Sequence, residues 1–341
     1  MAVYTHCFNT MNAIKTSSIS PSPGLGCPEF TRQRDLLDSA FTPEVVEGMR
    51  LMIHGVVDRA LDEISRKYVA PGKSFDLIEQ FAAPVPMQIA YKVLGVPETD
   101  TGRLSSQDER SLKAYVDDMV DERITEPSGR ESSDLISRLA REQYRKGLMS
   151  RDDIVELALL VLGAGHTALV NSIGLGVLTL FQHPDQWAKV RRNPLAWAPS
   201  VVHECLRYNS VSSSPMSSAP SSLVAAEEQP PPITQAAGNQ NWNYYHCQPS
   251  DPGMFDIRRN GYGPPERESE HLSRLELEIA LGTLFARFPG LRLDSTAIID
   301  DNTTTMSPIQ SPTQGSTTAV AKLPVLVDTD AEMHRIIIAC D

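Results

Sequence analysis

Ile154–Phe181 reads IVELALLVLGAGHTALVNSIGLGVLTLF, an almost unbroken apolar run long enough to cross a bilayer. Glu156, His166, Thr167, Asn171 and Ser172 interrupt it, and Gly163, Gly165, Gly174 and Gly176 lie within it. A helix that is apolar around most of its circumference also belongs at the centre of a large soluble domain. The polar interruptions favour this buried core helix, with a membrane span as the alternative. Just upstream, Ser150-Arg151-Asp152-Asp153 supplies an N-terminal cap, with acidic residues at the positive end of the helix dipole.

Helical patterning continues on both sides of this run. Thr42-Pro43-Glu44 places a cap before a proline at the first helical position, and Val45, Val46, Met49, Met52, Ile53, Val56 and Val57 form an apolar stripe behind it. Phe75–Leu94 is a second apolar helical segment, broken near Pro84 and Pro86 and closed by Gly95 and Pro97. Leu135–Gln143 is a short helix, His183-Pro184-Asp185 starts another, and Pro199-Ser200 leads into one that ends near Tyr208. Leu272–Phe288 is a clear helix stopped by Pro289-Gly290. Leu323-Pro324-Val325-Leu326-Val327 is read as a short edge strand, where a proline is tolerated.

The expected fold class is thus mainly α with a reduced β-sheet component. Residues 1–28 form a Ser/Pro-rich lead, 29–209 the helical core, 210–241 a low-complexity insert and 242–341 a C-terminal part. The Ser, Pro, Ala and Gln of the insert cannot build a packed core. The same abrupt change at Ser210 is what translated noncoding sequence, from an imperfect gene prediction, would give.

A formal charge of −12 over 341 residues opposes nonspecific nucleic-acid binding, which needs a basic face. Cys7, Cys27, Cys205, Cys247 and Cys340 are scattered, odd in number and contain no CxxC pair, a pattern that does not suggest a disulfide framework or a zinc site. The N-terminus lacks a basic segment followed by an apolar run, so no secretory signal is expected. A cytoplasmic, reducing location away from membranes follows from these readings.

Three segments carry chemistry. Glu204-Cys205-Leu206-Arg207 is an ExxR pair one helical turn apart, which taken singly is an ordinary surface ion pair. Met254-Phe255-Asp256-Ile257-Arg258-Arg259 is an FDxxR turn, and Ala164-Gly165-His166-Thr167-Ala168 sits in the middle of the long apolar run. Taken in their order along the chain, they resemble the cytochrome P-450 family of haem-thiolate oxidoreductases. Glu29-Phe30-Thr31-Arg32-Gln33-Arg34, Ala40-Phe41-Thr42-Pro43, Phe81–Pro86, Leu94–Pro97 and Gln182–Gln186 are similar to further family segments, closest to the soluble nitric-oxide-reductase branch.

The resemblance implies the family's helical architecture, haem b as cofactor, and NADH or NADPH as electron donor, directly or through a redox partner. It implies a small-molecule substrate or nitric oxide. Glu204, Arg207 and Arg259 would interlock as the charged framework beneath the haem loop. Gly165, Thr167 and Ala168 would line the distal, oxygen-binding side, Arg34 would hold a haem propionate, and Gly261 and Gly263 would shape the haem loop.

Several positions depart from the family pattern. Phe30 replaces a histidine beside Arg34, and the distal alcohol falls one position early, with Thr167 at the acid position and Ala168 at the threonine position. Aligned backward from His271, Pro265 falls where His or Arg is usual, and Arg267 occupies the position of the cysteine ligand. A guanidinium, always protonated, can neither bind ferric iron nor supply the electron push of a thiolate. Cys247, upstream in another segment, is the remaining candidate thiol, and the metal ligand is left unassigned. Two functions follow: a haem oxidoreductase with impaired chemistry, or a haem-free pseudoenzyme or scaffold.

Overall fold

The computed structural model describes residues 38–70, 72–104, 109–125, 133–212, 254–259, 270–294, 306–311, 314–320 and 322–328. Thr42 is extended (φ −62°, ψ 156°) and Pro43 opens α1 (Pro43–Gly48), which hands over through Met49 to α2 (Arg50–Ile64). Val46, Ile53, Val56 and Val57 of the expected stripe are buried, and Leu61 and Ile64 prolong it. A π-helical turn, Ser65–Val69, ends this element.

The chain then forms β1 (Phe75–Asp76), a π-helical turn Ile78–Ala82, and α3 (Pro84–Leu94). The sequence pattern had this region helical from Phe75; its first two residues are a strand because they pair with a distant segment. Pro84 opens α3, and Gly95 closes it with φ 79°, a left-handed cap that a side chain disfavours. Next come α4 (Glu98–Leu104), α5 (Glu109–Thr125) and α6 (Leu135–Leu139), the last followed by a π-helical turn, Ala140–Tyr144.

The apolar run forms α7 (Arg151–Leu160), a π-helical turn Val161–Gly165, and α8 (His166–Gln182), continuous as one helix over Arg151–Gln182. Its start is a capping box: Ser150 Oγ accepts from the Asp153 N–H and the Asp153 carboxylate accepts from the Ser150 N–H. The helix is long and apolar enough to cross a membrane, yet most of its apolar stretch is buried inside the fold. Val170, Ile173, Val177 and Leu180 are among its buried residues, and α3 and the later helices Pro194–Ser212 and Glu270–Arg287 pack on it.

After α9 (Pro184–Arg192), α10 runs over Pro194–Ser212. It begins earlier than the Pro199-Ser200 signal suggests, because Pro194 already provides a first helical position and Pro199 is absorbed inside the helix. It also extends beyond residue 209 into the start of the expected insert; residues 213–253 lie outside the described residues. α11 (Glu270–Arg287) matches the helix expected over 272–288.

The sheet component is small, as expected. β2 (Leu291–Leu293), a hairpin of β3 (Met306–Ser311) and β4 (Gln314–Val320), and β5 (Pro324–Val327) complete the described strands. The three-stranded sheet has the order β1-β5-β2, so β5 is central rather than the edge strand read from the sequence. Pro324 is accommodated because it is the first residue of β5, and the donors come from its neighbours. The Asp76 carboxylate accepts from the N–H groups of Leu323 and Ile78, each at 3.0 Å. Leu77 N donates to the Leu323 carbonyl at 2.9 Å.

Candidate functional site

Glu204 and Arg207 lie one turn apart on α10, and both are almost completely buried, at 1 % and 2 % exposure. The pair is bidentate: Arg207 Nε donates to Glu204 Oε2 at 2.8 Å and Nη2 to Oε1 at 2.7 Å. A buried carboxylate needs more than one partner, since an unpaired charge there is strongly destabilising. The turn at 254–259 provides them. Asp256 N donates to Glu204 Oε1 at 2.9 Å and Arg259 Nε donates to the same oxygen at 3.2 Å. The Met254 carbonyl accepts from Arg207 Nη2 at 3.0 Å and from Arg259 Nη2 at 2.8 Å. The structure therefore brings Glu204, Arg207 and Arg259 together.

Aromatic packing seats that turn. Phe255 is buried with its ring centroid 4.8 Å from His183 and 5.4 Å from Tyr208. Hydrogen bonds to Arg258 hold the Asp256 carboxyl down at about 2, so it is ionised at neutral pH. Beside Glu204, burial and the Arg274 charge pull His203 down to about 4, so it adds no positive charge there at neutral pH. The roles of the Asp256 amide and the Met254 carbonyl are backbone roles, invisible to a reading of side-chain types.

Ala164 to Ala168 lie where the π-helical turn gives way to α8. For Gly165 and Thr167 only the backbone is described. Ala168 is exposed, and Ser172 and Leu175, one and two turns on, are half-buried. A mostly buried helix thus carries a stripe that the described residues leave partly exposed on one side. His166 is turned away to the interior at 6 % exposure, its Nε2 3.0 Å from the Ala83 carbonyl oxygen. This burial and hydrogen bond make His166 a core histidine.

Arg34, Cys247, Gly261, Gly263 and Arg267 lie outside the described residues. So does the loop joining the 254–259 turn to α11. Among the described residues no group of three or more His, Cys, Asp or Glu side chains is arranged to hold a metal ion.

Two curated relatives decide the family. Cytochrome P450 55A3 of Fusarium lichenicola is 33 % identical over 303 residues, covering 79 % of this chain and 71 % of that protein. The 6-deoxyerythronolide B hydroxylase of Saccharopolyspora erythraea is 34 % identical over 298 residues, covering 78 % and 70 %. The chain belongs to the cytochrome P450 family.

Solved cytochrome P450 structures share its fold. MoxA from Nonomuraea recticatena superposes with a TM-score of 0.64 at 27 % identity, over 90 % of this chain and 78 % of that one. The mycinamicin VIII C21 methyl hydroxylase MycCI from Micromonospora griseorubida gives a TM-score of 0.59 at 28 % identity, over 87 % and 78 %. No protein-family model matches the chain.

Family membership implies haem b, so the donors of this cytochrome P450 can be tested against it. A thiolate ligand must be ionised and accessible. The described thiol, Cys205, is buried at 3 % exposure between α8 and α10, and its Sγ donates to the Gly176 carbonyl. Burial first, and then the Glu204 charge, push its pKa far up, so it is a protonated core residue. The sequence has no cysteine between Cys247 and Cys340. The donor set described does not fit a thiolate-bound iron.

Proposed function

We propose that this cytochrome P450 retains the family's structural framework but not thiolate-dependent oxygen activation. Arg267 at the position of the cysteine ligand carries this reading, with Cys205 locked in the core as its complement. The Glu204–Arg207–Arg259 arrangement supports a framework role for these three residues, bracing the start of the loop that precedes α11. On this reading Thr167, Ala168 and Gly165 form a distal surface without a working acid–alcohol pair. Arg34, Gly261 and Gly263 are relics of haem binding, and the protein is a haem-free pseudoenzyme or scaffold in the cytoplasm.

The test is the absorption spectrum of the purified full chain, expressed with haem supplied and reduced under carbon monoxide. The wild-type chain is expected to lack the long-wavelength Soret band of a thiolate–carbonyl complex, and Arg267→Cys to gain it. A wild-type chain that already shows the band would overturn the proposal. Cys247→Ser would then identify whether Cys247 is the ligand.

A second reading keeps catalysis. The resemblance to the soluble nitric-oxide-reductase branch, and the alcohol displaced to Thr167, favour reduction of a nitric-oxide-like ligand over monooxygenation of a small molecule. NADH or NADPH would then supply electrons directly, and a redox partner would be dispensable. Consumption of NADH with nitric oxide by haem-loaded wild-type chain, without added reductase, would establish it.

A further inference from the structure

Two π-helical turns far apart in sequence meet in this molecule. Ala83 follows the turn Ile78–Ala82 and His166 follows the turn Val161–Gly165, and the His166 ring nitrogen Nε2 lies 3.0 Å from the Ala83 carbonyl oxygen. A carbonyl can only accept, so the Nε2 nitrogen carries the hydrogen and His166 is the donor. Two turns farther along α8, a methyl-sized group at Gly174 would come within 2.7 Å of Ile78 Cδ1, so the Ile78 side chain packs directly on the α8 backbone there. The segment 78–83 is thus fastened to the central helix at two points.

A π-helical turn wedges an extra residue into a helix and persists where its surroundings hold it. Val161–Gly165 immediately precedes the stripe of Ala168, Ser172 and Leu175 that the described residues leave partly exposed. We propose that His166 is the positioning residue of this surface, its Nε2–H bond to Ala83 holding the π-helical turn and so setting the direction in which α8 presents the partly exposed stripe. Segment 78–83 is in turn anchored to β5 through Leu77 and Leu323, so the latch connects the central helix to the sheet. Desolvation lowers the His166 pKa, so the ring remains a neutral donor at physiological pH. The inference does not depend on whether the chain binds haem, and its failure would leave the spectral test above untouched.

The experiment compares amide hydrogen exchange in wild type, His166→Gln and His166→Leu, using the full chain as purified. Gln keeps a donor, whereas Leu fills the space and has none. His166→Leu is expected to speed exchange about tenfold over residues 161–167, with His166→Gln restoring most of the protection. Equal exchange in wild type and His166→Leu, or loss of protection spread evenly over all helices in both variants, would overturn the proposal. If His166→Leu does not fold, histidine-labelled wild type gives the answer by NMR. A slowly exchanging Nε2–H on a ring whose pKa lies below the usual 6.5 is expected. A ring that titrates freely, or carries its hydrogen on Nδ1, would overturn it.

Discussion

Neutralising the Glu204 carboxylate would leave two guanidinium groups, on Arg207 and Arg259, without the negative charge they share. Breaking a buried ion pair from one side costs about 3–5 kcal/mol, so Glu204→Gln is expected to shift the urea midpoint strongly. Arg258, on the same turn, pairs with Asp256 while remaining 62 % exposed. Arg258→Gln is expected to change stability by less than about 1 kcal/mol. Glu276 makes a second case. It is buried, its Oε2 has no hydrogen-bond partner among the described residues, and burial pushes its pKa up to about 8. A carboxyl with a raised folded pKa contributes stability fully present below its unfolded value of 4.5 and lost as pH rises toward 8. Glu276→Gln, close in shape to the protonated acid, should therefore match wild type near pH 5 and exceed it near pH 9 in thermal melts. The i,i+3 spacing of Glu204 and Arg207 is legible in sequence, and so is the resemblance that adds Arg259. The burial of Glu276 is not, because a Glu in a Leu-Glu-Leu-Glu run reads as a solvated helix face.

Elements were legible where a local chemical signal starts or stops them. Ser150 and Asp153 form their reciprocal cap as the sequence suggests, and Ser150→Ala is expected to cost about 1 kcal/mol in chemical denaturation. Prolines at the first helical position mark α1, α3 and α9. The π-helical turns were not legible, since the apolar run of 154–181 looks the same with or without an inserted residue. What decides them is contact between elements. At Gly174 an added Cβ would sit 2.7 Å from Ile78 Cδ1 and 3.5 Å from Val320 Cβ, so β4 and the 78–82 turn both close on this position. Gly174→Leu would need space that neither neighbour leaves, at a cost of about 1–3 kcal/mol. A lowered thermal midpoint would show it, whereas an unchanged one would mean that Ile78 and Val320 can withdraw. The β3–β4 hairpin is not legible for a related reason: its Ser/Thr-rich sequence has no clean alternation, although its threonines are β-branched and suit strands.

For the molecule as a whole, β5 joins an N-terminal segment of the described fold to a C-terminal one. It pairs with β1 at Phe75–Asp76 on one side and with β2 at Leu291–Leu293 on the other. Leu323, Pro324, Val325 and Val327 are buried there. Deleting residues 322–341 is expected to strip the sheet of its centre, lower the urea midpoint and expose apolar surface to a fluorescent hydrophobic dye. An unchanged midpoint would mean that the helices carry the fold without it. The amino-acid sequence by itself determined the mainly helical class, the caps, the apolar faces and the arginine at position 267. These depend on neighbours within a few residues, where periodicity and capping chemistry act directly. Only the tertiary structure decided that Asp256 and Met254 complete the partners of Glu204, that β5 is central, that Cys205 is sealed against Gly176, and that His166 reaches Ala83. Each depends on contacts between segments at least 29 residues apart. Such contacts are chosen by burial and by the demand that every enclosed polar group find a partner, which no local stretch of chain encodes.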